Sequence, residues 1–140
     1  MLKQISAFIE NRSGALADIT DILSESGVDL RALFIAETSD YGVLRMIVDD
    51  CLKAQQALQN GGVIVDINDV IAVSVPDKPG GLAKLLRQMT DNGIDVNYMY
   101  SVFGNADKSA HMVLKVSDNA ALEKFLKQNG IKSETVDDLK

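Results

Sequence analysis

The sequence predicts an α+β protein in which one small unit occurs twice. Three observations predict it: a repeat displaced by 66 residues, strand-like alternation at the start of each copy, and a helical apolar stripe after each alternation. A repeat of this kind sets the whole fold. Ile9-Glu10-Asn11-Arg12-Ser13-Gly14-Ala15-Leu16-Ala17 aligns with Val75-Pro76-Asp77-Lys78-Pro79-Gly80-Gly81-Leu82-Ala83. At the same spacing Gly27-Val28-Asp29-Leu30 meets Gly93-Ile94-Asp95-Val96, and Arg45-Met46-Ile47-Val48 meets His111-Met112-Val113-Leu114. Towards the ends the spacing drifts to 68, pairing Leu58 with Leu126 and Gly62 with Gly130.

Each half carries the same elements in the same order. Ile5, Ala7 and Ile9 alternate with Ser6, Phe8 and Glu10, the period of a half-buried strand, and Ile71, Val73 and Val75 repeat it. A turn leads into a helix whose apolar residues recur at helical spacing: Leu16, Ile19 and Leu23 in one copy, Leu82, Leu85 and Met89 in the other. Gly27 and Gly93 stand where a helix ends on a residue of positive φ. Second strands follow at 29–37 and 95–103, polar turns at 38–42 and 104–109, and third strands at 43–48 and 110–116. Asp50 and Asp118 are placed to cap second helices carrying Ala54, Ala57 and Leu58, or Leu122, Phe125 and Leu126. Gly62 and Gly130 then precede short final strands.

The order βαββαβ, run twice, predicts two ferredoxin-like modules, residues 1–69 and 70–140. Each is expected to be an antiparallel sheet with both helices on one face, its other face and its edges free to dock a second copy. At about 70 residues a module is near the lower size limit for an independent core. The modules are therefore expected to pack on each other, into one extended antiparallel sheet, or on another chain, and to be joined by a very short linker.

Composition narrows the function classes. With 46% hydrophobic and 24% charged residues the chain is expected to be globular rather than disordered. A net charge of -6 argues against nucleic acid, whose phosphates need clustered Lys and Arg. No apolar run reaches the roughly 18 residues of a membrane span, and the first residues lack the apolar core of a secretion signal. One cysteine, Cys51, excludes an internal disulfide and a thiolate metal cluster. A soluble, cytoplasmic protein is expected, with neither cofactor nor metal.

The motif that carries chemistry is the turn after each first strand: Asn11-Arg12-Ser13-Gly14-Ala15-Leu16 and Asp77-Lys78-Pro79-Gly80-Gly81-Leu82. Such a turn ends at a helix N-terminus, where unpaired N–H groups and the helix dipole favour a carboxylate. Glycine allows close approach of a ligand to the backbone, and Asn11 or Asp77 offers an acceptor to an ammonium group. The same pattern also serves a plain tight turn that only starts a helix.

On these segments, with Gly27-Val28-Asp29-Leu30 and Gly93-Ile94-Asp95-Val96, both halves resemble the ACT domain family, in wording closest to the regulatory domain of phosphoglycerate dehydrogenase. The likeness covers essentially the whole chain and is that of stand-alone tandem ACT proteins. It implies binding of a free amino acid at interfaces between paired modules, by the turn and the start of the second strand. The residues implied are Asn11, Ser13, Gly14, Ala15, Leu16 and Asp29 in the first half. Asp77, Lys78, Pro79, Gly80, Gly81, Leu82 and Asp95 match them in the second. The family's serine-binding pattern has asparagine where this chain has Asp29, Asp77 and Asp95, and histidine where it has Ile9 and Val75. The resemblance therefore implies an ammonium-friendly site without fixing the amino acid. Ser13 replaces a proline that Pro79 keeps, so the half-sites differ, and the Gly80-Gly81 pair favours the second.

Tyr98 and Tyr100 stand where the first half has Ala32 and Phe34, and are candidates to touch a ligand. His111, aligned with Arg45, is expected to point away from the helices. Cys51 is expected to be buried, and Asp49-Asp50 and Asp137-Asp138 to cap helices or face solvent. Together these readings make the chain a non-catalytic, amino-acid-sensing regulatory module, a homo-oligomer such as a homodimer, with a possible enzyme partner. The alternative is a ligand-independent structural subunit of an enzyme of amino-acid metabolism.

Overall fold

A computed structural model describes residues 1–37, 40–104 and 109–139 of the chain. It falls into two compact units, Lys3–Asn68 and Asp69–Lys140, the latter taking in Met1–Leu2. Strand β4 (Ile64–Pro76) closes the first and opens the second, so a continuous strand stands where a linker was expected.

The first unit runs β1 (Leu2–Glu10), α1 (Ala15–Glu25), β2 (Leu30–Glu37), β3 (Tyr41–Val48), α2 (Cys51–Asn60) and the first residues of β4. Its strands lie in the order β2-β3-β1-β4, antiparallel where β3 meets β1 and β2. The second continues from β4 with α3 (Gly81–Asp91), β5 (Val96–Ser101), β6 (Ser109–Val116), α4 (Asn119–Gln128), the two-residue β7 (Ser133–Glu134) and a 3-10 turn at Asp137–Leu139. Its antiparallel order is β5-β6-β4-β7. Both are ferredoxin-like βαββαβ modules. The expected polar turns fall partly on 38, 39 and 105–108, outside the described residues.

The periodicities explain the two cores. In the first, Ile5 and Ala7 of β1, Leu44 and Met46 of β3, and Ile19 and Leu23 of α1 close over Ala54 and Leu58 of α2. In the second, Ile71, Val73, Leu85, Met89, Leu114, Leu122 and Leu126 do the same. Each fully buried Leu or Ile contributes about 1.5–3 kcal/mol of transfer free energy. Asp50 and Asp118 cap α2 and α4 by accepting from the N–H groups of Lys53 and Ala121 at 3.1 Å each. Gly27 and Gly93, at φ 69° and 73°, end α1 and α3 as their positions predict.

One expectation needs correction. Leu16 is not on the inner face of α1; it is 37% exposed, and Ala15 takes the inward position. Ala15, Ile19 and Leu23 recur every fourth residue and so share one face. The sheet face opposite the helices holds buried residues in both units. Gln4, Ser6, Ala32 and Ile47 are buried in the first unit, and Val70, Ala72, His111 and Val113 in the second.

That face carries polar side chains in both units. In the first unit Arg45 Nη1 donates to Ser6 Oγ at 2.9 Å, and Gln4 Nε2 donates to Asn68 Oδ1 at 3.2 Å. In the second, His111 of β6 and Glu134 of β7 meet at 2.7 Å with 6% and 7% exposure, and the registers place Val113, not His111, at the position of Arg45. His111 does point away from the helices, and its carboxylate partner comes from β7.

Candidate functional site

Gly14 and Gly80 form the N-caps of α1 and α3 at φ 82° and 85°, and among the described residues no side chain caps either helix. The Ala15 and Gly81 N–H groups donate back to the carbonyls of Arg12 and Lys78, at 3.3 and 3.1 Å, and the N–H groups that follow them in each first turn are left to water or a ligand. In each turn the chain is reversed by a short backbone bond, Arg12 N–H to Glu10 O and Lys78 N–H to Pro76 O, both 2.9 Å. Turn and helix start repeat the same backbone hydrogen bonds. They differ in their side chains.

A cleft opens beside each turn. In the first unit it measures about 730 Å³ and runs from Glu10, Arg12 and Asp18 over the apolar wall of Ile19, Ile22 and Val63. In the second it measures about 450 Å³, between Lys78, Pro79, Gly80 and Gly81 on one side and Lys84, Gln88, Asn129 and Ile131 on the other. Both lie between the helix-opening turn and the segment that follows the module's second helix. A smaller recess of about 170 Å³ flanks the first turn on its other side, lined by Asn11, Leu16, Ile35 and Glu37.

Ala15 lines both recesses of the first turn, Asn11 and Leu16 only the smaller, and Ser13 and Gly14 stand exposed between them. Lys78, Pro79, Gly80 and Gly81 line the cleft of the second unit; Asp77 and Leu82 lie beside it. Asp29 belongs to a separate hollow with Thr20, Ser24 and Gly27, and its carboxylate accepts from Arg31 Nη1 at 3.1 Å. Asp29 and Asp95 follow helices of 11 residues each, so a helix length of about 16 Å separates them from the turn of their own module. Tyr98 and Tyr100 lie on β5, half-buried and buried, and line neither cleft.

Sequence reasoning missed Glu10, Asp18 and Val63 in one cleft, and Lys84, Gln88, Asn129 and Ile131 in the other. Asp18 and Lys84 occupy the same repeat position, one turn into the helix. Comparing charge across the repeat would have found them. Asn129 and Ile131 border Gly130, where the chain returns from α4 towards the turn.

The remaining candidates have structural surroundings. Cys51 opens α2, and burial pushes its thiol up, with Asp50 adding to the rise and Lys3 opposing it. Asp138 accepts from the Thr135 N–H at 2.8 Å and from Lys132 Nζ at 2.9 Å, which holds its carboxyl down to about 2. Among the described residues no three His, Cys, Asp or Glu side chains gather as a metal site would need. No helix there is long and apolar enough to cross a membrane.

The profile of the ACT domain pair matches residues 1–129. The chain belongs to the ACT family. Each unit is accordingly an ACT module, with its turn and cleft at the start of the module's first helix. The crystal structure of protein BT0572 from Bacteroides thetaiotaomicron is 39% identical and superposes with a TM-score of 0.91, over 99% of this chain and 94% of that one. The regulatory subunits of aspartate kinase from Thermus thermophilus and Thermus flavus share the ACT-pair fold, with TM-scores of 0.64 and 0.60 at 18% and 17% identity. In both cases 89% of this chain and 90% of the other are covered. No curated protein matches.

Proposed function

We propose that this ACT pair is a regulatory module that binds a free amino acid in the clefts beside its helix-opening turns and passes occupancy to a partner enzyme or to its own oligomer. The observation that carries this reading is the recurrence of one arrangement: in both modules a cleft opens against a helix start that no side chain caps among the described residues. The uncapped N–H groups suit an α-carboxylate. Asn11 in the smaller recess of the first turn and Asp77 at the edge of the second cleft would supply acceptors for an ammonium group. Apolar side chains further in, Ile19 and Ile22 or Leu85 and Ile131, suit the body of a side chain.

A ligand shifts an equilibrium only through a difference in affinity between two states. Both clefts are open, so a neighbouring surface that closes over one would create that difference. Asp29 and Asp95, too far from their own turns to share a ligand with them, would enter if a second copy presented its module. Homodimerisation fits that requirement. The likeness in fold to the two Thermus regulatory subunits of aspartate kinase supports the same reading.

A thermal-shift screen of the common amino acids, followed by calorimetric titration of each hit, tests it. We expect saturable binding in the micromolar to millimolar range. Melting temperatures unmoved by every amino acid, with an enzyme retained regardless, would instead identify a ligand-independent structural subunit.

A further inference from the structure

The repeat places opposite charges at equivalent points of the two clefts. Arg12 corresponds to Lys78, Asp18 to Lys84, and Glu10 to Pro76. In the first cleft Arg12 Nη2 donates to Asp18 Oδ2 at 2.9 Å, and its Nε lies 3.8 Å from Glu10 Oε2. Among the described residues the one cation there is committed to two carboxylates, which leaves that wall net negative. In the second cleft Lys78 and Lys84 line the wall together, and neither makes an ion pair among the described residues. They stand beside the start of α3, whose dipole also favours negative charge.

We propose that the two clefts take different ligands: the second takes an acidic amino acid or a related dicarboxylate, and the first rejects it. This rests on the reading of the clefts as amino-acid sites and adds the ligand class of one of them. One carboxylate would meet the helix start and Lys78. The other would meet Lys84, one turn further along α3. Asn129 lines the cleft, its Nδ2 donating to the Phe125 carbonyl at 2.8 Å, and its Oδ1 would join Asp77 as an acceptor for the ammonium group. At the position of Asn129 the first module has Gly61, which offers no side chain. Glu10 and Asp18 would repel an acidic side chain there and suit a neutral or basic one.

The lysines are exposed, so each contact is worth up to about a fivefold change in affinity, and less at high salt. Calorimetric titration of the full chain with L-glutamate and L-aspartate, against L-glutamine and L-asparagine, reads the difference directly. The acidic pair should bind about fivefold tighter than their amides, an advantage that shrinks at high salt. Lys84→Asp, which installs the residue of the first module, should abolish the preference. Lys84→Gln should reduce it while preserving the far-UV circular dichroism of the native fold. Amides binding as tightly as acids, or a preference untouched in Lys84→Gln, would overturn the proposal.

Succinate, which has no amino group, separates the two readings. If amino acids fail but succinate shifts the Lys78 and Lys84 resonances in an NMR titration, the charge assignment stands and amino-acid sensing falls. If amino acids bind without charge preference, sensing stands and this proposal falls. If neither succinate nor any amino acid binds, both fall.

Discussion

Gly81 opens α3 where Ala15 opens α1, and the backbone around the two positions differs. A Cβ built on Gly81 would lie 2.2 Å from the carbonyl oxygen of Pro76, a rigid backbone atom that cannot swing away. Gly81→Ala should therefore cost about 1–3 kcal/mol, as overpacking does, measurable as a lower midpoint in urea. Gly14→Ala meets no atom within 4 Å, yet its φ of 82° remains strained for alanine, so a smaller loss of about 1 kcal/mol is expected. Equal effects of the two substitutions would contradict the steric account. Cys51 poses a different residue-scale question, because a helix start ordinarily lowers a thiol pKa while burial raises it. Burial prevails here. The thiolate should be scarce at pH 8, and labelling by a maleimide should be slower than for a free thiol, rising only at more alkaline pH. Labelling as fast as a free thiol at pH 8 would refute this.

At the scale of elements, the His111–Glu134 pair ties β7 to β6, and Asp138 ties the turn beyond it. His111→Ala leaves a carboxylate in a buried place without its partner, and the expected loss is about 3–5 kcal/mol by denaturant unfolding. Replacing both members by apolar residues should cost less than replacing one. Asp138 gives a pH signature. Its carboxyl is depressed to about 2, so the stability it adds is fully present above the ordinary carboxylate range and is lost as pH falls through about 2. Amide exchange at Thr135 should rise over that interval in the native chain, and Asp138→Asn should remove that dependence.

Most of the elements were legible from the sequence because each has a local signal. Asp50 and Asp118 mark helix starts, Gly27 and Gly93 mark ends, and alternating apolar residues mark strands. The role of Ala15 in place of Leu16 was not legible, since both fit a helical stripe and only packing selects between them. The partner of His111 was hidden because Glu134 lies on a two-residue strand too short to carry a period. The cleft walls formed by Asp18, Lys84 and Asn129 were hidden for a related reason: they come from segments distant in sequence that only the folded module brings to the turn.

At the scale of the whole chain, duplication supplies two copies of one architecture, and divergence within it has produced two unlike clefts. Hydrogen bonding of the turns, the uncapped helix starts and the cores are held in common, whereas charge and cleft volume are not. A crystal structure of the chain grown with the amino acid that most raises its melting temperature tests the central claim most directly. The ligand should lie in a turn-side cleft, its carboxylate on the first N–H groups of α1 or α3 and its side chain over Ile22 and Val63 or towards Lys84 and Ile131. An amino acid bound elsewhere with both clefts empty, or none bound at saturating concentration, would contradict the account.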